Sequence, residues 1–325
     1  MIDFRYHIVS IVAIFLALAI GIVLGSTVLN APLVRLTEET AARLQANNTK
    51  LQDDVARART RGAASDAFLT ERLPQLVQTS LAGERVLVVE APGADSRLRE
   101  PLQQVLLAAG ATLSGQVVLN ERFVDVSQSA VIDQLATTAK PADLAFAANA
   151  TPYDKVAAVL GSAVMTNDKA QSGKENPGAT GVLDALESDG LLSVEGDPAK
   201  RATLAVLVPP AVPFEGKDAE AQTTAIVSMA GGLDEAGEGA VVAGVVPTST
   251  AAGVIAAVRE SGDMSTRVST VDNVDMAFGR AVVVYALREQ VAGDSDQYGL
   301  GSDAASVAPI PSPTPTPTPD AGSGG

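Results

Sequence analysis

The chain has 325 residues, a formal net charge of −15, a single His and neither Cys nor Trp. Without Cys there is no disulfide framework, no thiolate metal site and no cysteine nucleophile. An acidic balance without clustered Lys and Arg excludes a nucleic-acid partner, and the scarcity of aromatic residues leaves Val, Leu, Ile and Ala to build the core.

Ile8 to Leu29 is a run of twenty-two residues without a charge. A bilayer core of about 30 Å takes about 20 apolar residues, so the run predicts a transmembrane helix at 8–29 and makes the lipid bilayer a partner. A cleavable leader would have only about 7–15 apolar residues and a small-residue exit, whereas the exit here runs into Pro32. Arg5 precedes the span, which by the positive-inside rule puts residues 1–7 in the cytoplasm and nearly everything after Asn30 outside. The expectation is a single-pass cell-membrane protein. Within the span Ala13, Ala17, Gly21 and Gly25 recur every fourth residue and end in a GxxxG, the pattern of a helix-packing face in membranes.

Residues 33–67 read as one helix, with Pro32 interrupting it from the span. Leu36, Leu44, Leu51 and Val55 form its apolar seam, charged residues cover the other faces, and the pair Asn47-Asn48 places polar residues where knobs are expected. This is the pattern of a short coiled coil, hence of a homodimer, in which a polar seam residue fixes register. A single amphipathic helix folded back on the domain fits the same spacing.

From Arg85 the pattern changes to short apolar runs separated by helices. Strands are predicted at 86–90, 112–119, 143–147, 204–208, 240–246 and 266–271. Helices are predicted at 96–109, 153–160, 181–189, 219–230, 251–261 and 274–291, with a polar loop at 167–180 dividing two halves. Residues 85–300 are therefore read as an extracytoplasmic α/β domain with a mostly parallel sheet. Residues 302–325, where Pro recurs at every second position from Pro309 to Pro319, read as a disordered Pro/Thr/Ser/Gly-rich tail. Its Thr/Pro repeat could also carry O-linked sugars.

Such sheets bind ligands at the carboxyl ends of their strands. The loops there carry no GxGxxG, no P-loop and no GxSxG. Ser249 reads as a helix cap, since the lone His7 lies at the membrane boundary and leaves no Ser-His pair for the domain. Glu90 with Asp95 is an acid/base or cation-site candidate, but Asp95 reads equally well as a helix N-cap. Asp272 and Asp275 complete the strand-end carboxylates. Met229 and Met276 read as core filler. The expectation is a non-enzymatic chain with no catalytic residues, no metal ligands and no resident cofactor.

The opening Met1-Ile2-Asp3-Phe4-Arg5-Tyr6-His7-Ile8-Val9-Ser10 and the apolar stretch from Phe15 to Gly25 resemble the start of the actinobacterial MctB/SteB family of single-span cell-envelope proteins. Val271-Asp272-Asn273-Val274-Asp275, Gly279-Arg280-Ala281-Val282-Val283-Val284 and Gln297-Tyr298-Gly299 extend the likeness to about residue 300. The resemblance implies copper transport and copper homeostasis or, alternatively, a dimeric scaffold regulating septal wall remodelling with a membrane or cell-wall partner. Copper as a ligand is implied by the resemblance alone.

Overall fold

The computed structural model describes residues 4–246 and 253–309, with only the backbone of 26–38 inside the first helix. The loop Pro247-Thr248-Ser249-Thr250, the Leu36 side chain and residues 310–325 lie outside the described part. Helix α1 runs from Phe4 to Val77. The interruption expected at Pro32 is therefore corrected: the helical backbone continues past it, giving up one N–H···O bond. Within α1, Phe4–Gly25 is long and apolar enough to cross a membrane, with a mean hydropathy of 3.0.

One compact unit comprises residues up to Ser65, and a second begins at Asp66. The second unit thus starts earlier than the predicted residue 85 and includes the last turns of α1. It holds seven described strands, β1 (Arg85–Glu90), β2 (Thr112–Leu119), β3 (Leu192–Gly196), β4 (Leu204–Val208), β5 (Gly239–Ala243), β6 (Ser269–Val271) and β7 (Gln297–Tyr298). They form one sheet in the order β3-β2-β1-β4-β5-β6-β7. All pairs are parallel except β2 with β3. Because the sheet is single, residues 167–180 do not separate two halves.

The strands are apolar on both faces because helices cover both. Leu87, Val89, Leu207 and Val242 face one core, packed against α4 (Ser129–Ala139), α5 (Pro152–Val164), α6 (Ala179–Ser188), α7 (Ala219–Ala236) and α8 (Val254–Glu260). Val86, Val88, Val206 and Val241 face the other, under α2 (Arg99–Ala108), α9 (Ala277–Ala292) and Leu73 and Val77 of α1. A further short helix, α3 (Glu121–Val124), follows β2. Thr151 and Asp154 cap α5 reciprocally, with Pro152 at its first position. Gly161 and Gly232 let α5 and α7 meet closely, since a Cβ at 161 would lie 2.4 Å from the Gly232 carbonyl oxygen.

The strand expected at 143–147 is absent. Leu144 and Phe146 pack on the core from a loop after Pro141, and Lys140 and Lys155 sit over the Phe146 ring. Apolar composition alone produced that reading. The sequence reading also missed α4, β3 and β7. Residues 302–309 are folded rather than tail: Gly299 N–H donates to the Ser306 carbonyl at 3.0 Å, and Asp303 pairs with Arg259 at 2.9 Å.

Candidate functional site

The strand order reverses between β1 and β4, and a ligand crevice is expected outside the carboxyl ends of those strands. A cleft of about 790 Å³ lies there, lined by Pro92 and Gly93 after β1, Arg122 and Asp125 after β2, and Pro210, Phe214 and Asp218 after β4. Its lining contains no His, Met or Cys. Beside it Glu90 is closed off, because Arg99 donates two bonds to its carboxylate at 2.7 and 2.6 Å. Asp95 accepts the Arg97 N–H at 3.0 Å and is the N-cap of a 3₁₀ turn. The cap reading of Asp95 thus holds, and the two carboxylates are each paired with a different arginine instead of with each other.

Asp272 is also occupied. It accepts from Arg259 at 3.1 Å and from the backbone N–H of Leu300 and Gly301 at 2.8 and 3.0 Å. Arg259 further donates to Thr270, Asp303 and the Tyr298 carbonyl. The knot is buried, with the Arg259 and Asp272 side chains 3 % and 1 % exposed. Asp275 is exposed. Arg280 donates to the carbonyls of Val274 and Asp275. The motif residues near the C-terminus therefore converge on one structural joint between β6, β7 and α9.

That joint includes one residue the sequence reading did not single out. Met276 precedes α9 without a side-chain cap, and Asp66 of α1 supplies one from afar, accepting the Ala277 N–H at 2.6 Å. An uncapped helix start was the available signal. Met276 is only half-buried there, correcting its reading as core, whereas Met229 is fully buried. A second cavity, of about 450 Å³, lies along α5 and α7 and includes Asp154, Met165 and Glu235. Asp154 is already bonded to Ser228 at 2.6 Å. Among the described residues no group of three or more His, Cys, Asp and Glu is placed to hold a metal ion.

Among the described residues Asp234, at the end of α7, is a strongly perturbed carboxyl. Burial pushes it up to about 6, with Glu235 and Asp263 adding to the rise and Arg267 and the Ala240 N–H opposing it. A carboxyl whose folded value exceeds its unfolded value penalises the fold above pH 6, and the penalty is relieved as pH falls from about 6 towards 4. Unfolding of Asp234→Asn followed from pH 4 to 8 should lack that step, with its gain over the parent chain smallest at pH 4 and full by pH 8. An unchanged pH profile would refute the assignment.

In the first unit, Leu44, Leu51 and Val55 are exposed by 65 %, 64 % and 47 %, an apolar seam without a partner in the single chain. Gly21 and Gly25 have open space where a Cβ would stand. At about 100° per residue, the twenty-seven residues from Gly21 to Asn48 turn the helix about 7.5 times, so the two point to opposite sides. The small-residue face and the seam are therefore distinct surfaces.

A family model described as copper transport outer membrane protein, MctB, matches residues 1–309. Copper transporter MctB of Mycobacterium tuberculosis (strain ATCC 25618 / H37Rv) is 28 % identical over 312 residues, covering 94 % of this chain and 99 % of that one. Copper transporter MctB of Mycobacterium leprae (strain TN) is 27 % identical over 317 residues, with the same coverage.

Proposed function

This chain belongs to the MctB family, and from that premise we propose that it is a non-enzymatic, single-pass envelope protein of copper homeostasis. Its N-terminus is cytoplasmic, its α/β domain extracytoplasmic, and it works as a homodimer alongside a second membrane or cell-wall protein. The observation that carries this reading is the extent of the family match, which takes in the apolar helix and the whole α/β domain.

The need for a second protein follows from chemistry. A single apolar span without an ionisable group in its middle cannot line a pore by itself. Cu(I) prefers thiolate and thioether and Cu(II) prefers imidazole, yet residues 33–302 contain four Met and neither Cys nor His. Any effect on copper tolerance then arises through a partner that holds or passes the metal, through wall permeability, or from a site at the membrane boundary that includes His7 and Met1.

Titrating the purified full-length chain in detergent with Cu(I) against a competing chelator should give only weak binding. Submicromolar affinity at one-to-one stoichiometry would sink the partner-dependent reading. A deletion strain should be copper-sensitive with normal septa. Defective septa with ordinary copper tolerance would favour the alternative, a dimeric scaffold that regulates septal wall remodelling, which rests on the same anchor and seam.

A further inference from the structure

We infer that the exposed seam of α1 takes a second copy of this chain, parallel and in register, with Asn48 opposite Asn48 and Asp54 bridged to Arg59 of the second copy. The inference rests on the homodimer and the topology proposed above and adds the face, the direction and the register. From Ala41 to Ala58 the sequence holds an alternating three-four spacing, with Ala41, Asn48 and Val55 on one line and Leu44, Leu51 and Ala58 on the other. Those are the a and d positions of a two-stranded coil, and the exposure of Leu44, Leu51 and Val55 leaves them unpaired in one chain. Copies anchored through the same N-terminal span leave the membrane in the same direction, so the helices run parallel.

Charge and polarity select the register. In register, Asn48 amides meet across the a layer, and the g residue Asp54 faces Arg59, the e residue five positions on in the other helix. A slip of one heptad sets Asn48 against Ala41 or Val55, leaving a buried amide without a partner. The same slip brings Asp54 to Gln52 or to Asp66, which loses the ion pair or opposes two carboxylates. Asp54 is half-exposed and pairs within its own helix with Arg57, so its second oxygen remains for the neighbouring copy. Leu36 stands eight residues before Leu44 and falls off this register.

The absence of Cys makes the test clean. Single variants of the full chain in native membranes are oxidised mildly and resolved as monomer or disulfide dimer. Asn48→Cys and Val55→Cys should cross-link to more than half, and the outward-facing Thr49→Cys and Asp53→Cys to less than a tenth. Adding Asp54→Arg to Val55→Cys should cut its yield at least threefold, and Arg59→Asp on top should restore it. If sedimentation of the detergent-purified chain shows a monomer and no position cross-links, the homodimer reading and this inference both fall. Dimers that cross-link equally at 49 and 53, or that ignore the charge exchange, would leave the homodimer standing and overturn the seam and its register.

Discussion

Replacing Asp272 with Ala should destabilise the α/β unit by about 3–5 kcal/mol, because it removes one partner of a buried ion pair and leaves the other charged. Arg259 is 3 % exposed and would keep only Asp303 as a counter-charge, itself 27 % exposed. Two backbone donors, Leu300 and Gly301, would lose their acceptor together. The backbone at 299–301 lies directly against that carboxylate, so close that a Cβ at Gly299 would stand 2.0 Å from it. Those residues were shaped around that group. Urea unfolding measures the loss, and amide exchange should show Leu300 and Gly301 opening well before the β1 and β4 amides. A cost under about 1 kcal/mol, or exchange that rises uniformly, would mean that the knot is incidental to the fold.

The sequence was legible where burial on both faces leaves a continuous apolar run. Val86 to Glu90 and Leu204 to Val208 could be read as strands for that reason, and both are central. The edges follow another rule. β3 buries Leu192 fully but exposes Glu195 and Gly196, so its run is too short and too polar to register. β7 has two residues and exists because Thr270 and Val271 lie alongside to pair with it. Ser129 to Ala139 carries a helical signal, with Ile132 and Ala136 buried one turn apart, but it is fainter in composition than the more apolar Leu144 to Ala147.

The functional reading divides in the same way. Ligand inventory is a property of composition, and the lack of Cys and the position of His7 could be read directly. Pairing is a property of space. Glu90 with Asp95 looked like a site because they are close in sequence, yet Arg99 and Arg97 take them separately. Likewise Asp272, Arg280 and Gly299 could be recognised as motif residues without showing that they share a joint, since only the adjacency of β6 and β7 brings Asp272 and Gly299 together.

One substitution has opposite outcomes at two helical glycines, of which only Gly279 belongs to that joint. Gly to Ala in a helix interior ordinarily gains about 1 kcal/mol from the reduced backbone entropy cost. At Gly62 in α1 nothing lies within 4 Å of an added Cβ, so Gly62→Ala should show that gain in helix stability. At Gly279, the third residue of α9, an added Cβ would stand 1.9 Å from the Asn273 carbonyl oxygen and 2.5 Å from its carbon. That neighbour is backbone, tied through the bridge between Val245 and Asn273, and cannot turn aside as a side chain would. The helix would have to lift instead, stretching the Asp66 cap on Ala277 and the Arg280 bonds to Val274 and Asp275 and unpacking Val283 and Leu287. Overpacking therefore outweighs propensity, and Gly279→Ala should cost about 1–3 kcal/mol. Thermal unfolding of the two variants beside the parent chain decides the matter: a neutral or stabilised Gly279→Ala would show that α9 does not bear on the β6 turn as closely as this geometry requires.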